Sequence, residues 1–182
     1  MDTKDKLSPL TISLHWAVAL VMIGMIAVGF YMASTEAWAL YPIHKSIGVL
    51  IFFVVLVRIV WRIKNGWPIT VGDAARVQLI AAKIVHWVLI LGTLFMPLSG
   101  MLMSAAGGHG IEVFGLELIA MNPDPANQGE VLAHIPALAS LGHEVHELLG
   151  LALVGAVVLH VIGALKHHIL DKDITLTRML GK

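Results

Sequence analysis

Residues 141–169 read LGHEVHELLGLALVGAVVLHVIGALKHHI, and this stretch decides the architecture. A helix needs about 20 apolar residues to cross a hydrocarbon core, and this run is longer than that. It also carries His146 and His160, and ionisable groups at membrane depth are costly and usually functional. They are 14 residues apart, which at the helical repeat places them about 40° apart around the axis and about 21 Å apart along it. One helix face therefore presents a histidine at each of two depths. Between them run Gly150, Leu153 and Val157. Gly150, one turn from His146, removes a side chain where a flat macrocycle could lie.

Three further apolar runs, about 12–33, 43–63 and 80–105, precede it. The chain has 182 residues, 58% hydrophobic and 13% charged, whereas soluble domains are about one quarter charged. The expectation is an all-α, four-helix transmembrane bundle forming one integral-membrane domain over 1–182. Pro42 suits the start of the second helix, and Pro97 should bend the third, which a membrane bundle tolerates. Residues 1–8 hold as many acids as lysines and no small-residue cleavage site follows, so the first run reads as a retained span and not as a signal peptide. Lys4, Lys6, Arg58, Arg62, Lys64, Arg76, Lys83, Lys166, Lys172, Arg178 and Lys182 fall on one side of a four-span chain and only Lys45 on the other. By the positive-inside bias both termini and the 64–79 loop are expected in the cytoplasm. That loop contains the turn signal Asn65-Gly66-Trp67-Pro68. Residues 106–140, with Gly107-Gly108, Asn122-Pro123-Asp124-Pro125 and Pro136, form a long outer loop that reads as a cap. The absence of cysteine excludes disulfides, iron–sulfur clusters and thiol chemistry. A net charge of zero gives no basis for nucleic-acid binding.

The 14-residue spacing recurs between His44 and Arg58 in the second span, and His15 lies three residues into the first. This pairs His44 with His146 at the outer level and His15 with His160 at the inner one. Two neutral imidazoles from facing helices can ligate one haem iron, and bundle cores commonly house such cofactors. The absence of carboxylates at depth, apart from Glu144 and Glu147 at the outer end, argues against di-iron chemistry, and neither level offers a tetrahedral zinc set. Against these readings stands the plain one, a polar side chain bonded across helices. His143, one turn outward of His146, is an alternative outer ligand or an interfacial residue. His86 is either an interhelical hydrogen-bonding group or a contact for a quinone or haem. His109 and His134 read as exposed loop residues.

The string Ile12-Ser13-Leu14-His15-Trp16, the run His44-Lys45-Ser46-Ile47-Gly48, Val57-Arg58 with Trp61-Arg62, His146 with His160, and the tail His167-His168, Lys172-Asp173, Thr175-Leu176, Arg178-Met179 together resemble the bacterial cytochrome b561 family. The resemblance covers essentially the whole chain and is weakest in 106–140. It implies a dihaem membrane protein of the bacterial inner membrane, with two haems b held through His15, His44, His146 and His160. Among members of that family, superoxide oxidases pass electrons from periplasmic superoxide to ubiquinone. Other relatives serve as membrane cytochrome subunits of larger redox enzymes.

On this reading electrons pass between a periplasmic partner and the quinone pool. Arg58, on the inward face, is expected to pair a haem propionate, and Arg62 to do so or to meet lipid headgroups. His167 with Lys83 and His86 forms the expected ubiquinone neighbourhood, since histidine can supply a proton near neutral pH; for His167 and Lys83 the alternative is snorkelling to lipid phosphates. The outer side carries Glu36, Glu112, Glu117, Asp124, Glu130, Glu144 and Glu147 against Lys45, a net charge of −6. Superoxide, an anion, is disfavoured by such a face, and a cationic redox protein suits it better. Three classes therefore compete: an enzyme oxidising superoxide, a membrane anchor relaying electrons for a soluble protein, and a cofactor-free protein using its histidines for protons or metal.

Overall fold

The computed structural model describes residues 1–3, 5–67 and 75–182. Lys4 and Pro68, used in the readings above, lie outside the described residues. Four long helices carry the chain: α1 (Pro9–Thr35), α2 (Tyr41–Asn65), α3 (Arg76–Ala106) and α4 (Pro136–Ile169). All four are long and apolar enough to cross a membrane. Leu20, Phe53, Leu148 and Ile162 point outward from them, an apolar exterior that only lipid accommodates at this extent. The protein is thus a multi-pass membrane protein.

Local sequence sets the helix ends. Ser8 caps α1, its hydroxyl accepting from the Thr11 N–H at 3.3 Å, and Pro9 follows as first residue. Gly66, at φ +76°, closes α2 in a backbone region where glycine is unstrained. Pro97 lies inside α3 without interrupting it. Pro136 opens α4 and so takes five residues from the expected cap, because proline is pre-set for a first helical turn. The all-α expectation needs one correction: the cap contains an antiparallel hairpin, β1 (Ile111–Val113) and β2 (Leu116–Ile119). A final short helix, α5 (Thr175–Met179), packs back on α4.

Helix α3 lies along α4, α1 along α2, and α2 against α3. Small residues set the α3–α4 register, as expected where close backbone approach replaces a hydrophobic driving force. Gly92 meets Leu153, Gly150 meets Met96, Gly100 meets His146 and Gly142 meets the Met103 backbone. A Cβ on Gly142 would stand 2.7 Å from the Met103 nitrogen. Gly142→Ala is therefore expected to push the helices apart and destabilise the fold by about 1–3 kcal/mol, read as a lower Tm in detergent. Between the two histidine levels sits a buried cluster of Val18, Met22, Ile51, Val55 and Leu153.

Both termini lie at one end of the bundle. Asp2 accepts from the Ser8 N–H (2.8 Å), the Thr11 hydroxyl (2.9 Å) and Arg62 Nη1 (3.2 Å), while Trp61 Nε1 donates to Thr11 Oγ1 (2.9 Å). Trp16 Nε1 donates to the Met179 carbonyl at 3.0 Å. Burial pushes the Asp2 carboxyl upward, but hydrogen bonds from Ser8 and Thr11 outweigh it and hold the pKa at about 2. A carboxyl depressed on folding stabilises fully above its unfolded value and loses that contribution as pH falls through its folded one. The Tm gap between wild type and Asp2→Asn should therefore hold above about pH 4 and close towards pH 2.

Candidate functional site

The four long helices place two groups of histidines at two depths. At the end away from the termini, His44 on α2 and His146 on α4 face one another with ring centroids 6.4 Å apart. At the end nearer the termini, His15 on α1 and His160 on α4 stand 6.2 Å apart, and His86 on α3 lies 5.2 Å from His160. An imidazole nitrogen sits about 2 Å from a bound transition metal and about 1.1 Å from its own ring centre. Two imidazoles on opposite sides of one iron thus have centroids about 6 Å apart. Both cross-helix pairs match this separation. The His86–His160 pair is closer than one iron between two rings allows.

In the pair away from the termini, one ring is held in a defined orientation. His146 Nδ1 lies 3.0 Å from the Met96 carbonyl and 3.1 Å from Ser99 Oγ, while Ser99 itself donates to the Met96 carbonyl at 2.8 Å. A ring that donates Nδ1–H to a carbonyl keeps the Nε2 lone pair free, the second-sphere arrangement typical of metal-bound histidine. Among the described residues His44 Nδ1 is buried with no hydrogen-bond partner, which is costly unless a bound group completes the site. Gly29 and Gly100 border these rings: a Cβ would stand 3.6 Å from His44 Cε1 and 3.1 Å from His146 Cε1 respectively. Gly29 and Gly100 thus leave room beside the two rings. Gly150 has the end of the Met96 side chain 3.6 Å from where a Cβ would stand.

These glycines extend the 14-residue spacing to every long helix. His15 and Gly29 on α1, His44 and Arg58 on α2, His86 and Gly100 on α3, and His160 and His146 on α4 are each 14 residues apart. Each helix thus contributes one residue at each depth. A search for histidines alone misses the glycine partners on α1 and α3.

At the inner level Arg58 acts electrostatically on His15, His86 and His160. Among the described residues no carboxylate pairs with it. A half-buried guanidinium beside three imidazoles is suited to an anionic group such as a propionate. Arg62 is differently placed, because Nη1 is committed to Asp2 and to the Gly66 carbonyl at 2.9 Å; only its remaining N–H groups could serve a cofactor or lipid. His167 donates from Nδ1 to Asp173 at 2.7 Å and approaches Asp171 at 3.2 Å. Asp173 and Asp171, absent from the expected site, hold its ring at the end of α4. Lys83 is exposed near the start of α3.

At the cap, His143 and His109 line a shallow cavity of about 400 Å³ with Met103, Gly107, Ala139, Ser140 and Glu144. His143 is exposed, whereas His146 turns towards α2 and α3. Lys45 is drawn into the cap, its Nζ donating to the His109 carbonyl (3.1 Å), the Gly110 carbonyl (3.3 Å) and Ser104 Oγ (3.3 Å). Much of its charge is therefore spent on closing the loop.

Residues 6–182 match the family model described as prokaryotic cytochrome b561. The chain is 33% identical to cytochrome b561 homolog 2 of Escherichia coli K12, covering all of this chain and 94% of that protein. It is 30% identical to the probable superoxide oxidase CybB of Yersinia pestis, over 97% of both chains. A second Escherichia coli K12 protein, cytochrome b561 homolog 1, is 26% identical over 98% of both chains.

Proposed function

The chain belongs to the prokaryotic cytochrome b561 family, membrane electron-transfer proteins that bind b-type haem, and we propose that it carries two such haems between bis-histidine ligands. His15 with His160 would hold one and His44 with His146 the other. The observation that carries this reading is the pair of cross-helix separations, 6.2 and 6.4 Å, each fitting one iron. Held by two histidines each, such haems would supply one-electron carriers at two depths and would favour electron transfer over oxygen activation.

The chain's own residues perform the rest. Ser99 and the Met96 carbonyl orient His146; Gly29 and Gly100 leave room beside the outer rings; Arg58 neutralises an acidic group at the inner level. The inner end is cytoplasmic in this reading, with the membrane that of a bacterial inner membrane, because the lysines and arginines gather there. Ubiquinone is the proposed acceptor at that end, with Lys83, His86 and His167 about it. His167 can pass a proton from Nε2, while Asp173 and Asp171 hold Nδ1.

For the donor, superoxide is supported by the 30% identity to a probable superoxide oxidase. A cationic soluble redox protein, relayed by the chain as a membrane-anchor subunit, is supported by the outer charge of −6. Stopped-flow mixing with superoxide, with and without ubiquinone, separates the two: haem reduction at the mixing limit followed by quinone-dependent reoxidation supports the enzyme, and inert haem supports the anchor. Pyridine haemochrome assay is expected to give two haems b per chain, and a value of one would overturn the two-site reading. His146→Ala should lose one haem while His143→Ala retains both; the reverse result would make His143 the outer ligand.

A further inference from the structure

The β1–β2 hairpin has an arrangement that electron transfer does not explain. Its register places Val113 opposite Leu116 and Glu112 opposite Glu117, and past a shift in register that leaves Leu118 as an extra residue it places Ile111 opposite Ile119. Directly opposed residues share a face of the sheet, so Ile111, Val113, Leu116 and Ile119 make an apolar face, and Glu112 and Glu117 an acidic one. Ile111 is buried, but Leu116 is 65% exposed and Ile119 is exposed beside it. An isolated two-stranded hairpin is marginal in water, and acid opposite acid weakens it further. Its apolar face needs a covering layer.

The turn points the same way. Phe114 (φ +48°) and Gly115 (φ +87°) form a two-residue connection in which both residues are left-handed. Such turns favour Asn-Gly, and a bulky residue in the first position is strained. Phe114 nonetheless holds it with its ring 65% exposed.

Depth identifies the covering layer. The Phe114 N–H donates to Ser46 Oγ at 2.9 Å, and Ser46 is buried on α2 five residues beyond Tyr41. The apolar stretch Trp38–Asn65 has 28 residues, about 42 Å of helix against a hydrocarbon core of about 30 Å. Centred in the membrane, its hydrocarbon portion begins near residue 42, so Ser46 lies about one helical turn below the boundary. The exposed Trp38 ring, stacked on Tyr41, stands at the same end of α2, where interfacial aromatics gather. We propose that the hairpin is an interfacial membrane anchor, with Phe114, Leu116 and Ile119 in the acyl-headgroup boundary of the leaflet opposite the termini and with Glu112 and Glu117 towards water. The partner is lipid, since a soluble protein would have to reach below the helix end to cover the same residues.

The lack of cysteine makes the test direct. Leu116→Cys and Glu117→Cys are each spin-labelled in the full-length, haem-loaded protein reconstituted in phosphatidylcholine vesicles. Collision rates are then measured with oxygen, which partitions into lipid, and with a water-soluble nickel chelate. The oxygen-to-nickel ratio is expected to be several-fold higher at position 116 than at 117. Equal ratios would mean that the hairpin stands in water, as a docking surface for a soluble protein does, and would overturn the proposal. A label at 116 shielded from both reagents would mean that protein covers the face, and would overturn it equally. Neither result depends on which donor reduces the haem.

Discussion

Replacing His160 with alanine is expected to lower haem content from two per chain to one and to leave the outer haem's spectrum in place. The two ring pairs share no ligand, and on α4 their members lie 14 residues apart, about 21 Å along the axis. Val18, Met22, Ile51, Val55 and Leu153 fill the space between them. Loss of the inner pair should therefore not reach the Ser99–Met96–His146 arrangement. The retained outer signal doubles as evidence that the variant folds. His15→Ala is expected to give the same result by removing the opposite ligand. His86→Ala should keep both haems, because its 5.2 Å separation from His160 is short of the about 6 Å that two rings on opposite sides of one iron require. If His86→Ala loses a haem while His15→Ala does not, the inner ligands are His86 and His160.

The bundle was readable because apolar runs of membrane length are a one-dimensional signal, and because the 14-residue spacing survives translation onto a helix without knowledge of its neighbours. The hairpin was not readable. Its strands are three and four residues long, and the turn that joins them breaks the usual residue preference at Phe114, so neither periodicity nor turn chemistry marks it. Partners fixed by tertiary approach were equally hidden. Asp2 is 60 residues from Arg62, and Met96 is 50 from His146. Gly150, one turn from His146, has the end of the Met96 side chain as its neighbour, a contact with a second helix. Which face of α4 meets α3 cannot be read from α4 alone.

Superoxide, if it is the donor, is expected to reduce the haem more slowly at low ionic strength than at high, because the outer face it must approach carries seven acids against one lysine. Salt shortens the range of that repulsion, to about 10 Å at 0.1 M. Neutralising Glu112, Glu117 and Glu130 together should raise the rate at low salt and flatten its salt dependence. Lys45 sharpens the argument. A free lysine beside His44 could attract the anion locally, but its ammonium is held by the His109 and Gly110 carbonyls and Ser104, and Glu112 acts on it electrostatically. Its positive field is offset where superoxide would meet it. Lys45→Ala should accordingly loosen the cap, seen as faster proteolysis between residues 107 and 135, and reduce the superoxide rate only modestly. Rates that fall as salt rises, together with a large loss in Lys45→Ala while the cap stays protease-resistant, would show that local attraction wins over the net charge. In that case the lysine, held in place by the carbonyls it contacts, would be the entry point for the anion, and the acidic face would have no bearing on the choice of donor.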